Sequence, residues 1–368
     1  MKSWISISSS TIPVTLAKEI PSNHTRDIFT FEAALEAYYL NKKKIVALSS
    51  GTAAIHLALL LAGVQKEDEV LCASFTYVAS ANPIVYVGAR PVFIDSEKDT
   101  WNMCPKYLEA AIVDRIHQGK KPKAIIVVHL YGMPAKIDQI LRIAQQYKIV
   151  LIEDAAEALG ASYKGQPCGT FGDYGILSFN TNKIISTFGG GALFCTTQKE
   201  KDKALFFATQ ARDPGAHYEH SEIGYNYRLS PLLAGIGCDQ MDVLEKNIGL
   251  RRGMHQFYKE LFKDVEGVSL LEEPSKDYFS NHWLSCILID EAKTSFSKEE
   301  LRLQLEKDQI ESRVLWKPMH IQPVFKEAAY YGAGVAEELF RNGLCLPSGS
   351  NLTNEDRERI SDSIHKIM

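Results

Sequence analysis

Lys123-Ala124-Ile125-Ile126-Val127-Val128-His129 and Ile149-Val150-Leu151-Ile152-Glu153 are two stretches of strand length, apolar over 124–128 and 149–152, and Asp154 follows the second at once. Each is short, continuous and rich in β-branched residues, the pattern of a strand covered on both faces. The stretch between them, 137–147, reads as a helix. Strand, helix and strand in that order predict two parallel strands joined by a crossover. An acid at the carboxyl end of such a strand projects into the crevice where α/β proteins bind ligands.

The alternation continues outward. Residues 69–73 and 90–95 read as strands, and 79–87 and 107–117 as helices, with Pro83 in the first turn of 79–87. Residues 29–40 read as a helix with Phe31, Leu35 and Tyr38-Tyr39 on one face, while 1–26 are polar and weakly patterned. These segments predict an α/β protein whose large domain, 1–245, is a mainly parallel sheet between helices. A long helical stretch, 231–261, reads as a connector. Beyond it the pattern changes to a strand (283–289), a helix (298–309), a strand (310–315) and a closing amphipathic helix (353–368). That is a smaller α+β domain, 246–368.

Bulk properties exclude several classes. The chain has 368 residues, 45% hydrophobic and 23% charged, enough for a large core. A formal net charge of -4 gives no electrostatic footprint for nucleic acid or an anionic membrane. The most apolar window, 45–63, contains His56 and small polar residues, a poor composition for a membrane span. Seven scattered cysteines form no C-x-x-C pair, which argues against a metal site or a disulfide framework and fits a reducing, cytoplasmic compartment.

Three features converge on one chemistry. Lys183 follows Ser178-Phe179-Asn180-Thr181-Asn182 and precedes Phe188-Gly189-Gly190-Gly191. A partly desolvated lysine gives up its proton more readily, and the neutral amine condenses with an aldehyde. Asp154 offers a carboxylate that can keep a pyridine nitrogen protonated. Val46-Ala47-Leu48-Ser49-Ser50-Gly51-Thr52-Ala53-Ala54 reads as a strand, a small-residue turn and the start of a helix, where free amides and the helix dipole bind phosphate. Taken singly, Lys183 reads as well as a solvated loop lysine, and Asp154 as a helix N-cap. Together they match pyridoxal 5'-phosphate (PLP), which carries an aldehyde, a pyridine nitrogen and a phosphate.

The same residues carry a resemblance. Ser50-Gly51-Thr52-Ala53-Ala54, Phe75-Thr76-Tyr77-Val78-Ala79-Ser80, Glu153-Asp154-Ala155-Ala156-Glu157, Ser178-Phe179-Asn180 with Lys183, and Gly224-Tyr225-Asn226-Tyr227-Arg228-Leu229-Ser230 occur in this order. The chain resembles the DegT-type sugar aminotransferases, a branch of the fold-type I PLP enzymes. The resemblance implies that Lys183 is the condensing lysine and proton shuttle, and that Asp154 pairs with the pyridine nitrogen. It places Tyr77 on the cofactor ring, Ala156 against the ring face, and Gly51, Thr52, Ala53, Ser178 and Asn180 among the cofactor contacts. Glu157 would line the pocket, and Asn226 would reach the phosphate in the neighbouring subunit of a homodimer with shared sites.

Asn180, Arg313-Val314-Leu315-Trp316-Lys317-Pro318-Met319-His320 and Cys345-Leu346-Pro347-Ser348-Gly349 are similar to enzymes that aminate C4 of nucleotide-linked 4-keto-6-deoxyhexoses, the N-acetylbacillosamine-pathway enzymes above all. L-Glutamate would be the donor, a UDP-linked 4-keto-6-deoxy-N-acetylglucosamine the favoured acceptor, and Arg313, Lys317 and His320 the candidate substrate contacts. The alternatives are a GDP-4-keto-6-deoxymannose (perosamine-type) acceptor or a non-catalytic PLP-binding regulator. The chain departs from the family in three places: Phe188-Gly189-Gly190-Gly191 replaces Gly-Glu-Gly-Gly, Asn180 replaces the usual histidine after Ser-Phe, and no glycine-rich stretch precedes Phe31-Glu32.

Overall fold

The structure, a computed structural model, describes residues 4–8 and 27–368. The N-terminal stretch whose glycine content departs from the family lies outside them. In chain order the strands are β1 (Lys44–Leu48), β2 (Glu69–Ala73), β3 (Arg90–Ile94), β4 (Ala124–Val128), β5 (Val150–Asp154), β6 (Ser162–Tyr163), β7 (Gln166–Pro167), β8 (Tyr174–Ser178), β9 (Gly191–Cys195), β10 (Val268–Leu270), β11 (Tyr278–Phe279), β12 (Ser285–Ile289), β13 (Arg313–Val314), β14 (Ala329–Tyr331) and β15 (Gly343–Leu346). The helices are α1 (Ile28–Tyr38), α2 (Gly51–Leu61), α3 (Asn82–Tyr86), α4 (Pro105–His117), α5 (Ile137–Tyr147), α6 (Gln198–Ala208), α7 (Pro231–Met241), α8 (Leu244–Leu261), α9 (Lys298–Lys307), α10 (Val335–Asn342) and α11 (Asn354–His365).

The main sheet runs β1-β9-β8-β5-β4-β2-β3-β14. It is parallel from β8 to β14, and β9 enters antiparallel to both of its neighbours. Alternate residues of the central strands feed two different cores. Leu71, Ile125, Val127 and Leu151 pack on one side, and Val70, Cys72, Ile126 and Ile152 on the other. That two-sided burial is why these runs are continuously apolar. α5 shows the complementary logic: Ile137, Ile140, Ile143 and Ala144 are buried at helical spacing, and Lys148 ends the helix in the left-handed region.

A second, antiparallel sheet, β10-β12-β15-β13, packs with α8, α9 and α11 around Met254, Tyr258, Ile287, Leu301, Leu305, Leu344 and Ile360. Capping boxes start α9 at Ser297/Glu300 and α11 at Thr353/Asp356.

Three sequence expectations are corrected. Residues 79–87 are not one helix. A 3₁₀ turn at Val78–Ser80 precedes α3, because Pro83 has no amide to donate back into the preceding turn and is tolerated only in the first turn of a helix. The connector 231–261 breaks at Asp242-Val243 into α7 and α8. The strand expected over 310–315 shortens to Arg313–Val314, since Ile310 bridges instead to Ile5 of the N-terminal segment. The C-terminal chain also returns to the main sheet, where β14 pairs in parallel with β3.

Candidate active site

A cavity of about 830 Å³ lies at the carboxyl ends of β1, β2, β5 and β8. Each strand delivers something to it. Beyond β1, Ser50 caps α2 by accepting from the Ala53 amide at 3.0 Å, and Gly51 and Thr52 face the cavity. The first-turn amides of α2 have no acceptor within the helix and form an anion cradle. A Cβ on Gly51 would lie 3.3 Å from both Leu177 O and Ser178 Cβ, so a side chain here would push the turn and the end of β8 apart by a few tenths of an ångström.

β5 ends in Asp154, which is buried. It accepts from Ser80 Oγ at 2.7 Å and from the Ala156 amide at 3.1 Å, and Ser80 is bonded in turn to Thr76 Oγ1 at 2.7 Å. Among the described residues these neutral donors are its hydrogen-bond partners, so the carboxylate is positioned without being neutralised. The preceding residue, Glu153, anchors the strand end from the other face. It accepts from His129 Nε2 at 3.0 Å and from the amides of Gly169, Phe171 and Gly172. The Ala135 amide donates to His129 Nδ1, which puts the imidazole proton on the nitrogen facing Glu153.

Beyond β8, Ser178, Asn180 and Lys183 line the cavity. The loop closes through Phe179 N to Gly190 O at 2.9 Å and Thr187 N to Phe179 O at 2.9 Å. Gly190 has φ 131°, and a Cβ there would meet Thr187 Oγ1 at 2.8 Å, which requires glycine at this point of the run. Lys183 Nζ lies 3.1 Å from Glu157 Oε1 and 4.1 Å from the ring centroid of Trp283. Burial raises the Glu157 carboxyl, and Lys183 and the Tyr131 amide oppose the rise.

The structure thus brings together Gly51, Thr52, Tyr77, Asp154, Glu157, Ser178, Asn180, Lys183 and Arg313 on one cavity. Ala53 stands behind it, its amide spent on Ser50. Asn226 is exposed, on a segment bridged to Thr209, and is not among the residues that line this chain's own cavity. Lys317 is exposed outside it. His320 is taken up elsewhere: its ring bonds Ser74 Oγ at 2.6 Å and Glu337 Oε1 at 3.1 Å and stacks on Tyr330, clamping the 319–321 turn to the end of β2.

Sequence reasoning missed Ser80, Thr76 and Trp283. The two hydroxyls stand four apart in the 75–80 motif, a signal that was available. Trp283 had none, because it reaches Lys183 from β12's approach in the second sheet.

The residues fit PLP. A buried carboxylate held by neutral donors, a lysine within reach of the same cavity and a glycine-walled helix start match the ring nitrogen, aldehyde and phosphate of that cofactor. With the mostly parallel sheet behind them, they define a fold-type I PLP enzyme. A model of the DegT/DnrJ/EryC1/StrS aminotransferase family matches residues 17–365. The chain is 48% identical over 335 residues to a putative pyridoxal phosphate-dependent aminotransferase, EpsN, of Bacillus subtilis (strain 168), covering 90% of this chain and 85% of that protein. It is 38% identical over 320 residues to GDP-perosamine synthase of Escherichia coli O157:H7, covering 87% and 84%. Its fold matches the crystal structure of a DegT DnrJ EryC1 StrS aminotransferase from Brucella abortus with a TM-score of 0.85 at 30% identity, over 96% of this chain and 92% of that one. The protein belongs to the DegT/DnrJ/EryC1/StrS family and is a PLP-dependent sugar aminotransferase.

Proposed function

We propose that the enzyme transfers an amino group from L-glutamate to C4 of a nucleotide-linked 4-keto-6-deoxyhexose, with UDP-4-keto-6-deoxy-N-acetylglucosamine as the favoured acceptor, for a cell-surface glycan or glycoprotein sugar. The observation that carries the reading is the meeting of Asp154, Lys183 and the α2 start in one cavity. When bound, PLP supplies an aldehyde and a protonated ring that withdraws electrons from a substrate carbon. Asp154, aimed by Ser80, keeps the ring nitrogen protonated. Lys183 holds the cofactor in place between turnovers and moves the proton on and off the substrate carbon in both halves of the reaction. The α2 amides, Thr52 and Ser178 hold the phosphate. Tyr77, more than half exposed on the cavity wall and next to Trp316, covers the ring.

Arg313, exposed at the cavity edge, is the cation suited to a diphosphate or to glutamate's carboxylate. Lys317, exposed on the same segment, is the second candidate cation for the diphosphate. The exposure of Asn226 supports its reach into a partner's cavity, in a two-fold dimer with shared sites. The change from the parallel to the antiparallel sheet supports a division near residue 245 into a large and a small domain. No helix among the described residues is long and apolar enough to cross a membrane, and the proposed compartment is the cytoplasm.

A second reading, a GDP-linked acceptor, is supported by the relative named GDP-perosamine synthase. The two are separated by offering UDP- and GDP-linked 4-keto sugars together at equal concentration with glutamate and reading products by mass spectrometry. A dominant UDP-amino sugar is expected. A dominant GDP product overturns the nucleotide assignment, and amination of a 3-keto sugar in preference to either overturns the position.

A further inference from the structure

The cavity holds Lys183 in a defined place. A carboxylate and an indole face converge on its Nζ, at 3.1 Å from Glu157 Oε1 and 4.1 Å from the Trp283 centroid. Both partners are buried and fixed. The Tyr131 amide donates to Glu157 Oε2 at 2.8 Å, and Asn281 Nδ2 donates to the Glu157 carbonyl at 2.8 Å. Trp283 Nε1 donates to the Asn182 carbonyl at 2.7 Å, and Arg251 donates to the Trp283 carbonyl at 2.6 Å. This is a built receptor for an ammonium group.

An amine that condenses with an aldehyde to a neutral carbon–nitrogen double bond loses all three protons of its ammonium form. Two leave with the carbonyl oxygen as water. The third needs an acceptor. Glu157 is the carboxylate already bonded to that nitrogen. Burial favours its protonated form, the Asp154 carboxylate adds to the preference, and the Lys183 ammonium is the first of the groups that oppose it. Once the nitrogen is bonded to the cofactor, that opposition ends. The other titratable groups facing Glu157 are the Tyr131 phenol and the Cys286 thiol on β12. Burial keeps both protonated, so neither competes for the proton.

We propose that Glu157 and Trp283 form the resting site of the uncondensed Lys183 ammonium, and that Glu157 takes the leftover proton when Nζ bonds to the cofactor and returns it when the lysine is released. The step balances: the ammonium, the aldehyde and the Glu157 carboxylate give a carbon–nitrogen double bond, one water and a neutral Glu157 carboxyl, with no change in total charge. Glu157 is then a catalytic acid-base residue acting on Lys183 itself, and Trp283 a positioning residue. The inference rests on Lys183 being the condensing amine.

Infrared difference spectra between holoenzyme and protein stripped of PLP test it, together with peptide mapping of the borohydride-reduced adduct. Loading with PLP is expected to produce the carbonyl band of a protonated carboxyl that shifts when glutamate is labelled with carbon-13 and is missing in Glu157→Gln. Capture of PLP by the stripped Glu157→Gln protein is expected to slow by roughly 10²-fold. With the adduct on Lys183, the absence of a label-sensitive band, its survival in Glu157→Gln or an unchanged capture rate overturns the role of Glu157 and leaves Lys183 as assigned. An adduct on another lysine overturns both. The band of the labelled wild-type protein is read without any variant, so the test holds even where Glu157→Gln misfolds.

Discussion

Two cavities share a wall and handle their charges in opposite ways. Trp283 faces the catalytic cavity, and its neighbour His282 faces a second one of about 460 Å³ beside α8. In the second cavity the charges cancel in pairs: Arg252 with Glu273 at 2.6 Å and Lys259 with Glu272 at 2.9 Å. His255 and His282 stack there with centroids 3.7 Å apart. Burial pushes His255 down to about 4 and His282 well below its usual value, so both rings are neutral. At the catalytic cavity's edge Glu311 and Arg313 also pair, at 2.6 Å, but deeper in it two carboxylates, Asp154 and Glu157, face the Lys183 ammonium, and among the described residues Asp154 is held by neutral donors. A cluster of titratable side chains in a hollow is therefore not a site in itself. What marks the first cavity is charge held in position and left unmatched, ready for a cationic ring nitrogen.

Variants sharpen this contrast. Lys183→Ala carries the largest effect: amino transfer falls by roughly 10⁴-fold while the thermal midpoint is nearly unchanged. Kinetics and a melting curve on the same preparation check both halves, and retained turnover would break the assignment. Asp154→Asn follows, with the glutamate half-reaction slowed by roughly 10³-fold in single-turnover measurements, because an amide cannot hold a ring nitrogen protonated.

The second cavity responds to acid instead. Its histidines stay neutral in the folded chain, whereas an unfolded histidine takes a proton near its ordinary value of about 6.5. The unfolded state therefore binds more protons below that value, and stability that is full above it declines as pH falls toward about 4. Urea titrations are expected to show a loss of about 2 kcal/mol between about pH 7 and about pH 5 from His255. His255→Gln should flatten the slope and leave turnover alone. A slope unchanged by the substitution would count against the neutral stack.

Smaller effects come at the support and the mouth. Ser80→Ala removes one hydrogen bond to a charged group, so the half-reaction should slow by about tenfold. Arg313→Ala should raise KM several-fold with kcat nearly constant, and Lys317→Ala should change KM less than Arg313→Ala does. Equal effects of the two would move the substrate path away from the cavity edge.

The strand-helix alternation, the parallel centre and the cofactor were legible in the sequence because local rules write them. Two-sided burial makes 124–128 and 149–152 continuously apolar, and a phosphate cradle needs small residues at a helix start. The boundaries that failed, at Pro83, at Asp242-Val243 and at Ile310, depend on backbone geometry or on a partner far away in the chain. His320 illustrates the same limit within the candidate site. The resemblance placed it among the candidate substrate contacts, yet Ser74, Glu337 and Tyr330 occupy its ring; Ser74 lies 246 positions away, and the other two lie beyond β13.

By itself the sequence determined the kind of chemistry: an acid after a buried strand, a lysine before a glycine run and a small-residue helix start are each readable within a few residues. Only the tertiary structure decided how those groups are held. Ser80 meets Asp154 across 74 positions, Glu157 meets Lys183 across 26, and Trp283 closes on Lys183 from the segment that leads into β12. Hydrogen bonds and cation–π contacts act over a few ångströms, and chain separation says nothing about such distances until the cores have packed.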